Sequence, residues 1–381
     1  MAGKEIATMP IVASLLNLSV KKIGNTYKYP CPECGKQTFE ANDIKGHCFK
    51  CGFGANYIKY YAVCCGISTK EATKKIASST GGVANFKYTP TEVPEEPIAD
   101  IVIRDKTYHS LLSNLTISKR HINDMRNRGM ELDTVKKLEY KSYYLGSQKS
   151  RVEITQKILN SGASIDGVPG FYLNDDDKSS YYGRYTFCWR KQGILVPYRD
   201  CEDRIQGFQL RKDNDKLEKD EDGKLENKYD WISSKGKKKG SGAKGFVHFA
   251  CDFYGDYKTK KKKPILDTEL MITEGAMKAD ITHAITGLPV IAIPGVEILD
   301  GLDEVLDYLK SNGVKKILNA FDMDYLTNKN VQRAQDKLQK MIEKKGLEYS
   351  RLKWDSNYKG IDDYVLARKL RKDSEAKTLE N

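Results

Sequence analysis

The chain has 381 residues, enough for two or three domains, each with a core of its own. It is 39% hydrophobic and 30% charged, with a mean hydropathy of −0.59, which is a soluble globular composition. No apolar run approaches the roughly 18 residues that a membrane span needs, so an integral membrane protein is excluded. A net charge of +12 suits a partner made of phosphates. An acidic membrane surface or a ribosomal setting matches that charge equally, so charge alone selects no partner.

The opening MAGKEIATMPIVASLLNLSV predicts a helix instead of a signal peptide, because its apolar stretch is short and no small-residue cleavage site follows. A cytoplasmic address follows, in which the nine cysteines read as thiols or metal ligands and not as disulfides. Cys31-x2-Cys34 and Cys48-x2-Cys51 stand thirteen residues apart, the two-knuckle spacing in which each CxxC turn gives two thiolates to one tetrahedral Zn²⁺. The intervening TFEANDIKGHCF alternates like a small hairpin, and Gly35 and Gly52 follow their knuckles where tight turns are needed. So short and polar a segment can hardly bury four unligated cysteines without a metal. His47, next to Cys48, is expected to point away from the ion, and Cys64 and Cys65 are expected to belong to packing.

After a helical pattern ending near Ala77, the stretch 78–100 is rich in Gly, Pro, Thr and Glu and reads as a linker. Residues 109–140 read as short helices, with Leu111, Leu112, Leu115, Ile122 and Met125 at helix-like intervals. Two β-rich runs separated by a polar turn follow in 193–213, and another strand in 228–234. Arg199, Arg204, Arg211 and Lys228 recur through this part, either as an ordinary solvated face or as a basic surface. Two lysine-rich loops, 233–245 and 257–263, are either flexible solvated segments or tracks for a nucleic-acid backbone. Asp175, Asp176 and Asp177 read as an exposed loop.

From Leu266 strands and helices alternate, which predicts a parallel sheet with helices on both faces and chemistry at the carboxyl ends of its strands. Glu274 ends one such strand, and Asp322 and Asp324 follow another. Extended residues two apart point the same way, so both aspartates can face one site. Oxygen ligands of this kind suit Mg²⁺ or Mn²⁺, which take few protein carboxylates and accept substrate phosphates for the rest. The plainer alternative is that Glu274 or Asp324 caps the helix that follows it.

The segment IVASLLNLSVKKIGNTYKYPCPECGKQTF, with GHCFKCGFGANYIKYY and GISTKEATKKIA, resembles the zinc-binding domain of bacterial DnaG-type primases. That family often has His where this chain has Cys34. ITEGAMKAD, followed about 45 residues later by AFDMD, resembles the Toprim signature of a Glu-Gly after the first strand and an Asp-x-Asp after the third. KGIDDYV resembles the segment that closes the primase version, which implies Asp362 as a further metal-site acid. In the middle of the chain the resemblance implies Arg211 and Lys228 as part of the basic floor of the polymerase core. The wording there is closer still to a domain type found beside Toprim modules in primases of phages and mobile elements. Two positions depart from the family: Lys278 stands where bacterial primases commonly have a metal-facing Asp, and Gly360 replaces another acid. The lysine is then available to a triphosphate.

The expectation is therefore a multidomain α/β chain: a zinc ribbon that contacts template over 1–78, a linker over 79–100, a basic α+β part of the polymerase core over 101–265, a Toprim domain with a helix-flanked parallel sheet over 266–372, and a tail over 373–381. The implied activity is synthesis of short RNA primers on single-stranded DNA from nucleoside triphosphates. Zn²⁺ is structural on Cys31, Cys34, Cys48 and Cys51, and Mg²⁺ or Mn²⁺ is catalytic on Glu274, Asp322, Asp324 and Asp362. Arg199, Arg211, Lys228 and Lys278 are assigned to nucleic acid or nucleotide. With little chain after the Toprim part, a replicative helicase is expected as a separate partner, in the cytoplasm of a bacterial host. A Toprim nuclease and a non-catalytic DNA-binding protein of replication or mobile elements are the alternatives.

Overall fold

The computed structural model describes residues 8–23, 26–48, 53–79, 96–219, 225–295, 299, 301–323 and 329–379. The chain divides into two compact units, Met1–Thr91 and Glu92–Asn381.

In the first unit a short helix, Met9–Leu15, precedes a five-stranded antiparallel sheet whose strands neighbour one another in chain order. The expected hairpin is its third and fourth strands, Phe39–Ala41 and Lys45–Cys48, with Phe39 opposite Cys48 and Ala41 opposite Gly46. Aromatic side chains supply most of the core: Tyr29, Phe39, Phe53 and Tyr60 pack with Met9, Val12 and Ile76. Asn56 caps the helix Tyr57–Cys65 by accepting the Lys59 amide at 2.8 Å. Ser68 and Glu71 form a reciprocal capping box on the helix Thr69–Ser79. Cys64 and Cys65 are exposed on their helix and not packed as expected, because the side of this nine-residue helix that faces the core is taken by Tyr60 and Ala62.

The second unit opens on the end of the expected linker. Residues 96–100 are ordered against this unit: the Glu96 amide donates to the Gly240 carbonyl at 3.0 Å and that of Ala99 to Gly167 at 2.8 Å. Asp100 then caps the helix Ile101–Ser113 through the Val102 amide. Three more helices follow, Lys119–Asn127, Leu132–Lys137 and Gln148–Asn160. They accompany a four-stranded antiparallel sheet in the order Tyr229–Trp231, Ile205–Lys212, Gly193–Arg199, Lys141–Tyr143.

The C-terminal sheet runs in the order His248–Ala250, Val290–Ile293, Glu269–Glu274, Lys316–Asn319, Glu348–Arg351. Its last four strands are mutually parallel. Alternation along the strands dresses both faces. Leu270, Ile272, Ile291 and Ile317 pack with Leu306 and Leu338 from the helices Leu302–Ser311 and Lys329–Lys344. Met271, Val290 and Ala292 pack with Ala279 and Ile361 from the helices Ala276–Thr286 and Ile361–Leu379. The edge strand His248–Ala250 was not foreseen; it joins antiparallel to Val290–Ile293 and comes from sequence ahead of the alternating pattern.

A buried polar cluster ties this edge strand to its surroundings. The Arg199 amide donates to His248 Nδ1 at 3.0 Å, so the ring proton sits on Nε2 and is directed to Asp280 Oδ1 at 3.1 Å. Asp280 Oδ2 accepts the Tyr140 hydroxyl at 2.6 Å. Among the described residues no helix is long and apolar enough to cross a membrane.

Candidate metal centres and acidic site

Cys31, Cys34 and Cys48 bring their sulfurs within 4.8 Å of one another. The Cys34 and Cys48 sulfurs are 3.7 Å apart, close to the ~3.8 Å edge of a tetrahedron built on Zn–S bonds of about 2.3 Å. This three-thiol cluster fits a structural zinc ion. Cys51 lies outside the described residues. His47, one residue along the strand from buried Cys48, is exposed on the other side. Thr38 Oγ1 lies 3.0 Å from Cys48 Sγ, a hydroxyl placed to donate to a thiolate. The first knuckle is braced from behind by the Tyr60 hydroxyl, which donates to the Pro30 carbonyl at 2.6 Å.

At the carboxyl end of the parallel sheet, Glu274 is the last residue of the central strand. Gly275, at φ +77°, turns the chain sharply into the helix Ala276–Thr286, a conformation that L side chains rarely adopt. Lys278 therefore sits on the first turn of this helix. On the neighbouring strand, Asn319 Oδ1 accepts the Phe321 amide at 2.9 Å and bends the chain so that Asp322 follows. The Met323 amide donates to the Lys359 carbonyl at 3.1 Å, which draws the start of the helix Ile361–Leu379 to the same place. Asp324 lies outside the described residues.

These elements gather Lys278, Asp322 and Asp362. The Lys278 ammonium is hydrogen-bonded to Asp322 Oδ1. Burial pulls the lysine pKa down, but Asp322 foremost, then Glu274 and Asp362, outweigh it and hold the pKa above the usual lysine value. Lys359 Nζ approaches Asp322 Oδ2 at 3.6 Å. Asp362 is only 6% exposed, and its Oδ1 has no hydrogen-bond partner. Burial pushes its pKa up, against the pull of Lys278. Gly360 leaves a gap beside it: a Cβ there would stand 2.3 Å from Asp362 Oδ1 and 3.6 Å from Asp322 Oδ1. An orphaned buried carboxylate oxygen, a gap that one methyl would fill and an all-oxygen donor set fit a small hard cation.

Arg211 and Arg199 do not reach this site or a solvent-facing strand track as expected. Each is 4% exposed and neutralised: Arg211 by Asp124 at 2.7 Å, Arg199 by Glu139 at 2.8 Å and Asp203 at 3.2 Å. The partner acids sit on distant elements, which is why the basic residues looked free in the sequence. Lys228 is half-buried, and burial, then Arg211 and Arg128, lower its pKa.

Arg128 escaped the sequence reading. Its neighbour Gly129, at φ +83°, has Leu366 Cδ1 2.8 Å from where a Cβ would be. This close approach of the last helix lets Arg128 and Asp362 line one small cavity of about 270 Å³ with Asp124 and Asp363. A larger cleft of about 400 Å³, lined by Arg199, Cys251, Asp280 and His283, belongs to the other end of the helix Ala276–Thr286 and holds none of the metal-site acids. The lysine loop 233–245 is closed at its base, where Ser234 Oγ accepts the Ser241 amide at 3.0 Å, and it exposes Lys235, Lys237, Lys238 and Lys239 at its tip. The second lysine loop is the tip of a hairpin, Phe253–Gly255 with Lys262–Pro264.

Fold and site together define a multidomain α/β protein that carries a zinc ribbon and a Toprim-like sheet with acids at its carboxyl edge. The chain is similar to DnaG-type DNA primases. It is 28% identical over 183 residues to the DNA primase of Helicobacter pylori, a match covering 46% of this chain and 31% of the relative. The chain thus matches about a third of that relative's length. A family model described as a domain of unknown function, DUF3854, matches residues 261–372. Among solved structures, the zinc-binding and RNA polymerase domains of the Aquifex aeolicus primase are 16% identical, with 98% of this chain and 85% of that chain covered at a TM-score of 0.47. The primase fragment of the bacteriophage T7 primase-helicase is 13% identical, with 91% and 96% covered at a TM-score of 0.33.

Proposed function

We propose that this protein is a DNA primase that makes short RNA primers on single-stranded DNA from nucleoside triphosphates. The observation that carries the reading is the convergence of Asp322, Asp362 and Lys278 beyond the end of the Glu274 strand, in a chain that also carries the three-thiol cluster. Glu274, Asp322 and Asp362 would hold Mg²⁺ or Mn²⁺, and Asp324 is assigned with them from its sequence position. The ion, when bound, neutralises phosphate charge and favours ionisation of an attacking hydroxyl.

The chain's own residues supply the remainder. Lys278 and Lys359 place positive charge where a triphosphate would come to rest, and the half-buried Lys228 and Arg128 extend that charge along the neighbouring sheet. Positioning and charge neutralisation suffice for this chemistry, and no covalent enzyme intermediate is needed. The zinc ribbon serves as the template-contacting module, and the exposed lysine tips add sequence-blind, salt-dependent affinity for its backbone. The setting is the cytoplasm of a bacterial host, in a replication system of phage or mobile-element type, with a separate helicase.

The test is incubation of the full chain with mixed single-stranded templates, labelled nucleotides and Mg²⁺ or Mn²⁺, alongside Asp322→Asn and an end-labelled DNA strand. Short products should form with wild type and fall at least about a hundredfold in Asp322→Asn, with template binding kept. Full synthesis by Asp322→Asn would refute the site. Metal-dependent shortening of the labelled strand without synthesis would replace the primase reading by a nuclease.

A further inference from the structure

Lys278 is an unusual occupant of a divalent-cation site. Its helix starts directly behind the Gly275 turn, so the ammonium is delivered into the acidic cluster by the same backbone that presents Glu274. There it takes Asp322 Oδ1, one of the two carboxylate oxygens flanking the Gly360 gap. The other, Asp362 Oδ1, is buried and has no partner. One side of the gap is thus already neutralised by a covalently attached cation, and the other side is an acceptor without a charge to accept.

We propose that Lys278 is the resident cation of this site: its ammonium fills the place a second divalent ion would take on Asp322, and the site therefore works with one exchangeable divalent ion, held on the Asp362 side. A fixed ammonium cannot share a carboxylate oxygen with a divalent ion at close range without mutual repulsion. Removing its charge frees Asp322 Oδ1 as a ligand, and replacing it with arginine keeps the repulsion. The metal count follows from this geometry alone; the part Lys278 plays in nucleotidyl transfer rests on the primase reading.

The experiment is Mn²⁺ titration of the full-length, zinc-loaded chain, followed calorimetrically and by the paramagnetic resonance of free Mn²⁺, without nucleotide or template. Wild type, Lys278→Gln, Lys278→Arg and Asp362→Asn are compared, with zinc content and melting confirming that each is folded. Lys278→Gln keeps a hydrogen-bond donor and loses the charge; it should bind one Mn²⁺ more than wild type, or the same number at least tenfold more tightly. Lys278→Arg should match wild type, and Asp362→Asn should lose the wild-type ion. Equal number and affinity in wild type and Lys278→Gln overturn the proposal, as do two exchangeable ions in wild type, which decides the matter even where a variant fails to fold. Primer synthesis measured on the same samples keeps the two readings apart. Its absence with the metal counts as expected counts against the primase alone, and its presence with unchanged counts counts against the lysine alone.

Discussion

The zinc unit offers a sharp test in a pair of glycines on neighbouring strands. Gly46 lies opposite Ala41, and a Cβ on Gly46 would meet Glu40 O at 2.3 Å, Ala41 Cβ at 2.4 Å and Ala41 Cα at 2.6 Å. Two of these atoms are backbone, and Ala41 is itself buried, so none can swing aside as a long side chain would. Gly46→Ala must therefore open the Phe39–Ala41/Lys45–Cys48 hairpin. Overpacking of this kind costs about 1–3 kcal/mol. Cys48 is the last residue of the same strand, so the strain is felt in metal affinity. At about 1.4 kcal/mol per tenfold, zinc should bind roughly 5- to 150-fold more weakly. Gly54, on the adjacent strand, has nothing within 4 Å of its would-be Cβ, and Gly54→Ala should change zinc affinity less than about twofold. Competition against a chromophoric chelator measures both. Gly46→Ala holding zinc like wild type, or the two substitutions weakening it equally, would refute the steric argument.

Two further outcomes concern the second unit. Tyr140→Phe leaves the buried Asp280 Oδ2 without its hydroxyl donor; urea denaturation should show a loss of about 1–3 kcal/mol, and an unchanged midpoint would argue against the cluster as a structural tie. His109 lies 3.3 Å from Asp105 and 3.1 Å from Glu139, and its hydrogen bonds to Asp105 and then Glu139 raise its pKa to about 9. A pKa raised in the folded state contributes stability that is fully present below the unfolded value of about 6.5 and is lost as pH rises through about 9. Wild-type stability should fall between those two values more steeply than that of His109→Asn, and parallel profiles would contradict the pairing.

The parts legible in the sequence are those whose signal is local. Paired thiols at fixed spacing, a hairpin whose alternation ends on Cys48, and apolar strands such as Leu270–Thr273 alternating with helices each declare themselves within a dozen residues. Glu274 was readable because a strand followed by Glu-Gly must turn there. What stayed hidden is set by distance. The three residues His248–Ala250 have no periodicity of their own and become a strand only because Val290–Ile293 offers an unpaired edge. Arg199 and Arg211 read as free charges because Glu139 and Asp124, which bury and neutralise them, lie on other elements. Asp362 entered by resemblance, but no sequence rule shows that Gly360 clears the space in front of its Oδ1.

The edge strand also bears on where this chain can be cut. The matched family region starts at residue 261, after His248–Ala250 and inside the hairpin that follows it. A fragment expressed from that boundary would leave Val290–Ile293, four buried apolar residues, with open backbone donors and acceptors along one side. Such an edge is a template for pairing with other copies, so the fragment is expected to aggregate. It would also lack His248 as donor to Asp280, and Asp280 sits on the helix that delivers Lys278. The smallest piece fit for studying the acidic site on its own therefore begins upstream of residue 248, and the recognisable sequence module is smaller than the unit that can fold.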